Sequence, residues 1–383
     1  MNSSRDPQPL AELSEAGVSV WLDDLSRELL AGGGLSDLVT DRHVVGVTTN
    51  PTIFASALSH GERYTDQLRE LSRAGASVDD AVFAITTADV RAACLVLRPV
   101  FAATDGADGR VSIEVDPRLS RDAEATVAQA RALVAAVDEP NMFVKVPATV
   151  EGLAAITELT AQGVSVNVTL IFSLDRYRQV VDAYLTGLEQ AAEAGRDLSA
   201  IHSVASFFVS RVDTAIDAKL NELATAPALA LRGRAAIANA RLAYQMFEQT
   251  LAGERWQRLS ERSAGKARPQ RPLWASTGVK NPAYPDTMYV TELIAPHTVN
   301  TMPGATLAAF ADHGEVRGDT VTDAYDDARA VFDALGQAGV DHQGLIGALE
   351  QEGLTKFEDS WQGLGRSVAD ELHAATQKSQ SAV

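Results

Sequence analysis

Short runs rich in β-branched and aromatic residues alternate along this chain with longer segments of helical periodicity. This alternation is typical of βα units, in which each strand of a parallel sheet is followed by a helix. Eight runs predict strands, at 18–23, 44–50, 110–116, 142–148, 164–171, 203–210, 271–277 and 296–303. Eight strands with intervening helices predict an α/β fold that closes as a (β/α)8 TIM barrel, with a doubly wound open sheet as the alternative. No glycine-rich dinucleotide or Walker pattern supports the open sheet.

The chain length of 383 residues fits one barrel with additions at both ends. We predict a single domain over 1–383, with an N-terminal extension at about 1–16 and additional helices in a C-terminal region at about 320–376. The last residues, 377–383, are expected to fray. An apolar stripe in the C-terminal region is typical of core packing, and the sequence leaves open whether this helix covers a site. The residues of that stripe are Phe357, Trp361 and Leu364.

Within several predicted strands the polar residues share one face. Successive strand side chains point to opposite sides, and a barrel strand has one face toward the helices and one face inward. The inward polar positions predicted in this way are Asp23, Thr48, Asn50, Ser112, Glu114, Asp116, Lys145, Ser165, Asn167 and Thr169. In the fifth run the apolar positions, which end at Leu170, are assigned to the helix-facing side. Barrel interiors are usually filled by branched apolar residues, so polar side chains at the carboxyl ends of several strands predict a site.

Lys145 interrupts the otherwise apolar run MFVKVPA, where a lysine is uncommon unless it is paired. It could lie at a sheet edge or extend its amine to solvent, but the other five lysines occupy polar contexts, which favours a special role for this one. A lysine amine, with a pKa of about 10.4 in solution, is nucleophilic near neutral pH only where burial or a positive neighbour lowers that value. Such an amine can condense with a ketone to form an iminium, with Asp23 and Glu114 as the available proton carriers.

The other candidate positions also have structural interpretations. Asp23 and Glu114 could cap helices or lie at solvated strand ends. The asparagine and threonine candidates could satisfy the backbone of turns. Arg211 could pair with Asp213 or Asp217 on the helix that follows the sixth strand. The sequence alone leaves these alternatives open.

Composition excludes several classes of function. Apolar residues make up 46% of the chain, yet no run of about 18 of them predicts a membrane span. A formal net charge of −18 disfavours nucleic acid and anionic membranes as partners. The only cysteine, Cys94, cannot form an internal disulfide, and the N-terminal segment lacks the pattern of a signal peptide, so a cytoplasmic location is expected. The seven histidines form no HxH or HExxH pattern, so no metal site is expected, and a GxSxG elbow is absent.

Seven motifs in order along residues 46–303 resemble those of transaldolases of the longer bacterial type. They are GVTTNPTIF, VSIEVDPRLS, MFVKVPAT, GVSVNVTLIFS, VASFFVSRVD, WASTGVKNP and IAPHTVNTMP. The resemblance implies a (β/α)8 barrel, no cofactor, and transfer of a dihydroxyacetone unit between phosphorylated sugars of the pentose phosphate pathway. A Schiff-base aldolase that releases free dihydroxyacetone and a non-catalytic sugar-phosphate-binding barrel remain alternatives, and the oligomeric state is not predicted.

The resemblance also implies catalytic roles. Lys145 would form the Schiff base, and Asp23 would remove the proton from the C4 hydroxyl of the donor sugar. Glu114 and Thr169 would hold a water that relays protons while the carbinolamine forms and dehydrates.

Substrate contacts follow from the same motifs. Asn50 and Asn167, with Thr48 beside them, would bind the hydroxyls of the three-carbon unit, and Ser206 and Arg211 would bind phosphate.

Two further motif positions concern the walls of the site. Phe208 would form an apolar wall. The seventh predicted strand departs from the usual pattern, in which an arginine follows two residues after the serine, because Ser276 is followed by Thr277 and Gly278. We predict that Lys280 supplies the missing positive charge.

Overall fold

Eight parallel strands form a closed barrel in the computed structural model, which describes residues 8–59 and 62–380. Each strand pairs with the next one along the chain, and the eighth strand pairs with the first. The strands are β1 (Val18–Leu22), β2 (Gly46–Thr48), β3 (Arg110–Glu114), β4 (Met142–Pro147), β5 (Val166–Ile171), β6 (Ser203–Phe208), β7 (Gln270–Ala275) and β8 (Thr298–Met302). Every predicted strand is present, so the (β/α)8 prediction is confirmed and the open-sheet alternative is wrong.

Helices surround the barrel and extend beyond it at both ends. They are α1 (Pro9–Glu15), α2 (Arg27–Ala31), α3 (Gly34–Asp41), α4 (Pro51–Ser59), α5 (Thr65–Arg73), α6 (Val78–Ala103), α7 (Ala123–Val137), α8 (Val150–Ala161), α9 (Leu174–Glu193), α10 (Ser210–Leu223), α11 (Ala226–Leu229), α12 (Ala235–Ala252), α13 (Glu254–Arg262), α14 (Met288–Thr291), α15 (Gly304–His313), α16 (Tyr325–Gln337) and α17 (His342–Gln380). Within the described ranges, no helix has both the length and the apolarity needed to cross a membrane.

The register of β3, β4 and β5 places three polar side chains at one level of the barrel. Glu114 pairs with Lys145, and Lys145 pairs with Asn167 across the next strand boundary. All residues of these strands are buried, because one face packs on helices and the other fills the interior. Closure of the barrel therefore assembles groups that are far apart in the sequence.

The strict alternation of side chains along β5 breaks at Leu170. The pairing of β5 with β6 shifts between Val168 and Ile171, and Leu170 adopts the left-handed region with φ of +60°. A bulge of this kind interrupts the strict alternation of side chains. Leu170 still faces a helix, because it lies against α17, where a Cβ added to Gly353 would come within 3.1 Å of its Cδ2.

The two C-terminal helices, α16 and α17, occupy the region that was predicted to be helical. The stripe of α17 packs on the barrel, with Phe357 and Leu364 buried and Trp361 partly buried. Glu350 of α17 pairs with Arg176 at 3.3 Å, which fixes the start of this helix beside α9. The helix continues to Gln380, so 377–380 are helical rather than frayed, while 1–7 and 381–383 lie outside the described residues. The domain limits remain a prediction.

Candidate active site

A cavity of about 140 Å³ lies at the carboxyl ends of the strands, where active sites of such barrels are built. Most of the predicted site residues line it: Asp23, Thr48, Asn50, Lys145, Thr169, Ser206, Phe208, Arg211, Ser276 and Lys280. Glu114 and Asn167 do not line this cavity but contact residues that do.

A larger cavity of about 380 Å³ lies between α9, α12, α16 and the start of α17. Its charged groups, Asp175 and Arg178, pair with each other at 2.7 Å, and its lining contains no lysine. Because it offers no amine and no unpaired charge, its size does not make it the better candidate.

Lys145 is 5% exposed, and its amine points into the smaller cavity. Nζ donates hydrogen bonds to the carbonyl oxygen of Thr49 at 2.8 Å and to Oε2 of Glu114 at 3.3 Å. The ring centroid of Phe357 lies 5.7 Å from Nζ, so α17 covers the amine. A closed barrel has no edge strand, and this burial shows that the edge and solvent alternatives for Lys145 are wrong.

Glu114 lies beside the lysine and is 5% exposed. Burial raises its pKa to about 7, although the Lys145 charge and hydrogen bond act in the opposite direction. Its other oxygen, Oε1, and the hydroxyl of Thr169 are buried and make no hydrogen bond within the described residues. Glu114 is therefore neither a helix cap nor a solvated strand end, and it can exchange a proton near neutral pH.

Asp23 follows β1 and faces the cavity, whereas Asp24 is exposed, as the alternation predicts. Asp23 as a whole is partly exposed, because it borders the cavity. Its carboxyl group is enclosed by the barrel, and this burial raises the pKa of that group. Lys145 and the hydroxyl of Thr48 oppose that rise. Thr48 Oγ1 donates to Asp23 Oδ1 at 2.6 Å and lies 2.6 Å from Oγ1 of Thr301.

The two asparagines differ in their surroundings. Asn50 lines the cavity, and its Oδ1 accepts from the backbone N–H of Ile53 at 3.0 Å, so part of this side chain has the structural role of a turn. Asn167 lies beneath the lining and is fully buried. Its amide donates to Ser112 Oγ at 3.0 Å and accepts from Ser206 Oγ at 2.7 Å. Its predicted contact with substrate stays a prediction.

Arg211 lies in the first turn of α10 and lines the cavity, as do Ser276 and Lys280. The alternative in which it pairs with Asp213 or Asp217 is wrong, because those carboxylates accept hydrogen bonds from tyrosines and backbone N–H groups instead. Its NH1 makes no hydrogen bond within the described residues.

The surroundings of Arg211 favour anion binding. Its guanidinium carbon lies 5.2 Å above the ring of Phe208, and burial lowers its pKa. A partly buried guanidinium with an unused N–H is suited to a planar or multivalent anion such as a phosphate.

Five residues of the lining are absent from the predicted site: Ala275, Gly278, Thr301, Pro303 and Phe357. Phe357 was recognised as part of an apolar stripe, but the pattern of a helix does not show which partner covers that stripe. Thr301 lies in the motif of the eighth strand, and its closeness to Thr48 depends on the pairing of β8 with β1. Within the parts of the chain that the structure describes, no three His, Cys, Asp or Glu side chains are grouped so as to hold a metal ion.

Comparison with known proteins agrees with this geometry. The family model described as transaldolase/fructose-6-phosphate aldolase matches residues 20–368. A transaldolase of Thermobifida fusca is 61% identical over 368 residues, which cover 96% of this chain and 99% of that protein. A transaldolase of Frankia alni is 60% identical over 364 residues, which cover 95% of this chain and 97% of that protein. The chain therefore belongs to the transaldolase/fructose-6-phosphate aldolase family.

Proposed function

We propose that this chain is a transaldolase that moves a dihydroxyacetone unit from sedoheptulose 7-phosphate to glyceraldehyde 3-phosphate and gives erythrose 4-phosphate and fructose 6-phosphate. The observation that carries the proposal is the buried amine of Lys145, which opens onto the same cavity as Asp23 and Arg211. Relatives named transaldolase at about 60% identity over nearly the whole chain support the same activity. The reaction belongs to the pentose phosphate pathway, and we expect the protein to act in the cytoplasm.

The first chemical step would join Lys145 to the ketone carbon of the donor. The amine attacks that carbon, and the carbinolamine loses water to form an iminium. Glu114 is suited to move the protons, because its Oε2 lies 3.3 Å from Nζ and its pKa is raised to about 7. A water held between the unused Oε1 of Glu114 and the hydroxyl of Thr169 would carry the proton to the departing oxygen.

The second step would break the carbon–carbon bond. Asp23 accepts the proton of the C4 hydroxyl, the C3–C4 bond electrons move into the iminium, and an enamine remains on Lys145 while the aldehyde leaves. The reverse addition to a new aldehyde returns the proton from Asp23 to the acceptor oxygen. Hydrolysis of the new iminium releases the ketose phosphate and restores the amine.

The remaining lining residues would bind the substrate. Arg211, with Lys280 and Ser276 of the same lining, would hold the phosphate group. Asn50 would bind hydroxyls of the three-carbon unit. Asn167 would bind the same hydroxyls directly or would orient Ser206, which donates a hydrogen bond to it.

Two aromatic side chains of the cavity lining favour transfer of the three-carbon unit over its release as free dihydroxyacetone. Phe208 and Phe357 both line the cavity that holds the enamine. Release of free dihydroxyacetone needs a proton and then water at the enamine carbon, and neither ring can supply them. An enamine in this site should therefore persist until an aldehyde acceptor arrives.

Fructose 6-phosphate alone should give a burst of glyceraldehyde 3-phosphate that approaches about one equivalent per active site, followed by slow turnover. Addition of erythrose 4-phosphate should restore rapid turnover and form sedoheptulose 7-phosphate. Rapid mixing with a coupled assay of the aldehyde measures both phases. Sustained production of free dihydroxyacetone without acceptor would establish the aldolase alternative, and phosphate binding without any burst would establish the non-catalytic one.

Arg211→Ala should raise KM for fructose 6-phosphate by about 10- to 100-fold, because charge-assisted hydrogen bonds to the phosphate are lost. Slow turnover of unphosphorylated fructose should change little. Arg178→Ala is the matched control, since Arg178 is exposed and, among the described residues, pairs with Asp175 on the same helix, α9. Steady-state kinetics with both sugars separate the outcomes, and an equal loss for both would assign Arg211 a structural role.

A further inference from the structure

Three polar side chains form a hydrogen-bonded series that ends at Asp23. Oγ1 of Thr301 on β8 lies 2.6 Å from Oγ1 of Thr48 on β2, and Thr48 Oγ1 lies 2.6 Å from Oδ1 of Asp23. The two threonines are 3% and 2% exposed, and both line the candidate active site. The series therefore runs inside the site and not on the surface of the protein.

The direction of these hydrogen bonds follows from counting protons. A threonine hydroxyl carries one proton, and an ionised carboxylate can only accept. Thr48 must therefore give its proton to Asp23, which leaves its oxygen as the acceptor for the proton of Thr301. Each donor strengthens the next along such a series, so Thr301 makes Thr48 a better donor to the carboxylate.

The backbone holds this series in place. Asp23 N–H donates to the carbonyl oxygen of Met302 at 2.8 Å, and Trp21 of β1 is paired with Thr301 of β8. The carbonyl oxygen of Thr301 accepts from the hydroxyl of Thr277 at 3.0 Å. The ends of β1 and β8 are thus fixed relative to each other, and Thr301 can support the carboxylate without moving.

An ordinary buried threonine on the same strand provides a contrast. Thr298 is also fully buried, but its hydroxyl donates to the backbone carbonyl of Ala295 at 2.7 Å and does not contact the site. Thr301 is distinguished by its place in the lining and by its contact with Thr48.

We propose that Thr301 is a positioning residue, which acts through Thr48 to hold Asp23 ionised and correctly oriented for the proton of the C4 hydroxyl. This role rests on the proposed transaldolase function. Burial of Asp23 favours its neutral form, and a neutral carboxyl group cannot accept that proton. Donation from Thr48, supported by Thr301, opposes this effect of burial. The charges of Lys145 and Lys280 act in the same direction as Thr48, and the charge of Asp24 acts against it.

Thr301→Val removes the hydroxyl and keeps a branched side chain of similar volume. We expect kcat for transfer to fall about 3- to 30-fold, in line with the loss of one supporting hydrogen bond to a charged system. The acid limb of the pH profile of kcat should move to higher pH, because weaker donation to the ionised form raises the pKa of Asp23. KM and the rate of borohydride-trapped adduct formation on Lys145 should stay close to those of the unmodified chain.

Thr301→Ser should keep the pH profile of the unmodified chain, because it retains the hydroxyl. Thr298→Val is the matched control and should also leave the profile unchanged. If valine at 301 prevents folding, Thr301→Ala removes the hydroxyl without placing a second methyl against Thr48. Thermal unfolding of each variant shows whether the comparison is between folded proteins.

Three results would overturn the proposal. An unchanged kcat and pH profile in folded Thr301→Val or Thr301→Ala would mean that this hydroxyl does not support Asp23. Equal slowing in the serine variant, or in Thr298→Val, would mean that any change in β8 has the same effect. Absence of acceptor-dependent transfer in the unmodified chain would refute the proposed function itself, and with it this role for Thr301.

Discussion

Lys145→Met should abolish transfer and leave the barrel folded. Methionine removes the amine but keeps an unbranched chain of similar length at a position that is 5% exposed. Without the amine no iminium forms, so kcat/KM should fall by at least about a thousandfold. Borohydride with fructose 6-phosphate should add mass to the unmodified chain on the peptide that contains residue 145, and not to the variant.

The stability of this variant should depend on pH, since Glu114 loses its neighbouring cation. A carboxyl group whose pKa is raised by folding contributes stability that is fully present below its unfolded value and is lost as pH rises through the folded value. Burial already raises the pKa of Glu114 to about 7, and removal of the Lys145 charge raises it further. Because the carboxyl group can take up a proton, the destabilisation near neutral pH should stay below the roughly 3–5 kcal/mol expected for an unpaired buried charge. Thermal unfolding at about pH 6 and about pH 8 should show the larger loss at the higher pH.

Lys219→Met is the matched control for the loss of a lysine. Lys219 lies on α10, and its amine pairs with Glu222 on the same helix. This variant should retain full activity and the borohydride adduct on residue 145. An adduct on any other lysine of the unmodified chain would remove Lys145 from the mechanism, and an unfolded Lys145→Met would assign that lysine a structural role.

The inward residues of the strands could be predicted because alternation in a strand is a local property. Lys145, Asn167 and Thr169 fall on the inner face by counting alone, and closure of the barrel then places them at one end. The alternation fails at Leu170 because a bulge inserts a residue out of register. The sequence of β5 contains no glycine that would indicate a bulge.

The sequence pattern could not predict contacts between residues that are far apart in the chain. Two carboxylates lie near Arg211 along α10, but they accept hydrogen bonds from Tyr284 and Tyr289. The guanidinium of Arg211 does not pair with them and lines the cavity. Phe357 belongs to a helix whose stripe can pack on any apolar surface, and only the tertiary structure places its ring 5.7 Å from the Lys145 amine.

The carboxyl groups of Asp23 and Glu114 both interact electrostatically with Lys145, but only Glu114 forms a hydrogen bond with it, and we propose that the two act at different steps. Lys145 lowers the pKa of both, against the larger effect of burial. Glu114 contacts the amine directly at 3.3 Å, whereas Asp23 faces the cavity and is held by Thr48. These contacts support the proposal that Glu114 acts in iminium formation and Asp23 at the bond that breaks further along the sugar.

Asp23→Asn should reduce transfer by about a hundred- to ten-thousandfold, because the amide keeps an oxygen that accepts from Thr48 but cannot take the proton of the C4 hydroxyl. The donor adduct should still form on Lys145 and accumulate, so borohydride should trap it with the intact six-carbon sugar. Glu114→Gln should show the reverse, with slow adduct formation followed by normal cleavage. Mass spectrometry of the trapped peptide distinguishes the two, since the intact sugar and the three-carbon fragment differ in mass.

The pH dependence of adduct formation provides the second half of this test. In the unmodified chain its rate should fall as the pH decreases through about 7, because protonated Glu114 can no longer accept a proton from the attacking amine. Glu114→Gln should lose this dependence, while Asp23→Asn should keep it, since its carboxyl group belongs to the later step. Rapid quenching with borohydride at a series of pH values measures the rate for each protein. If the dependence near pH 7 persisted in Glu114→Gln, or if Asp23→Asn accumulated the three-carbon fragment, the assignment of the two carboxylates would be wrong.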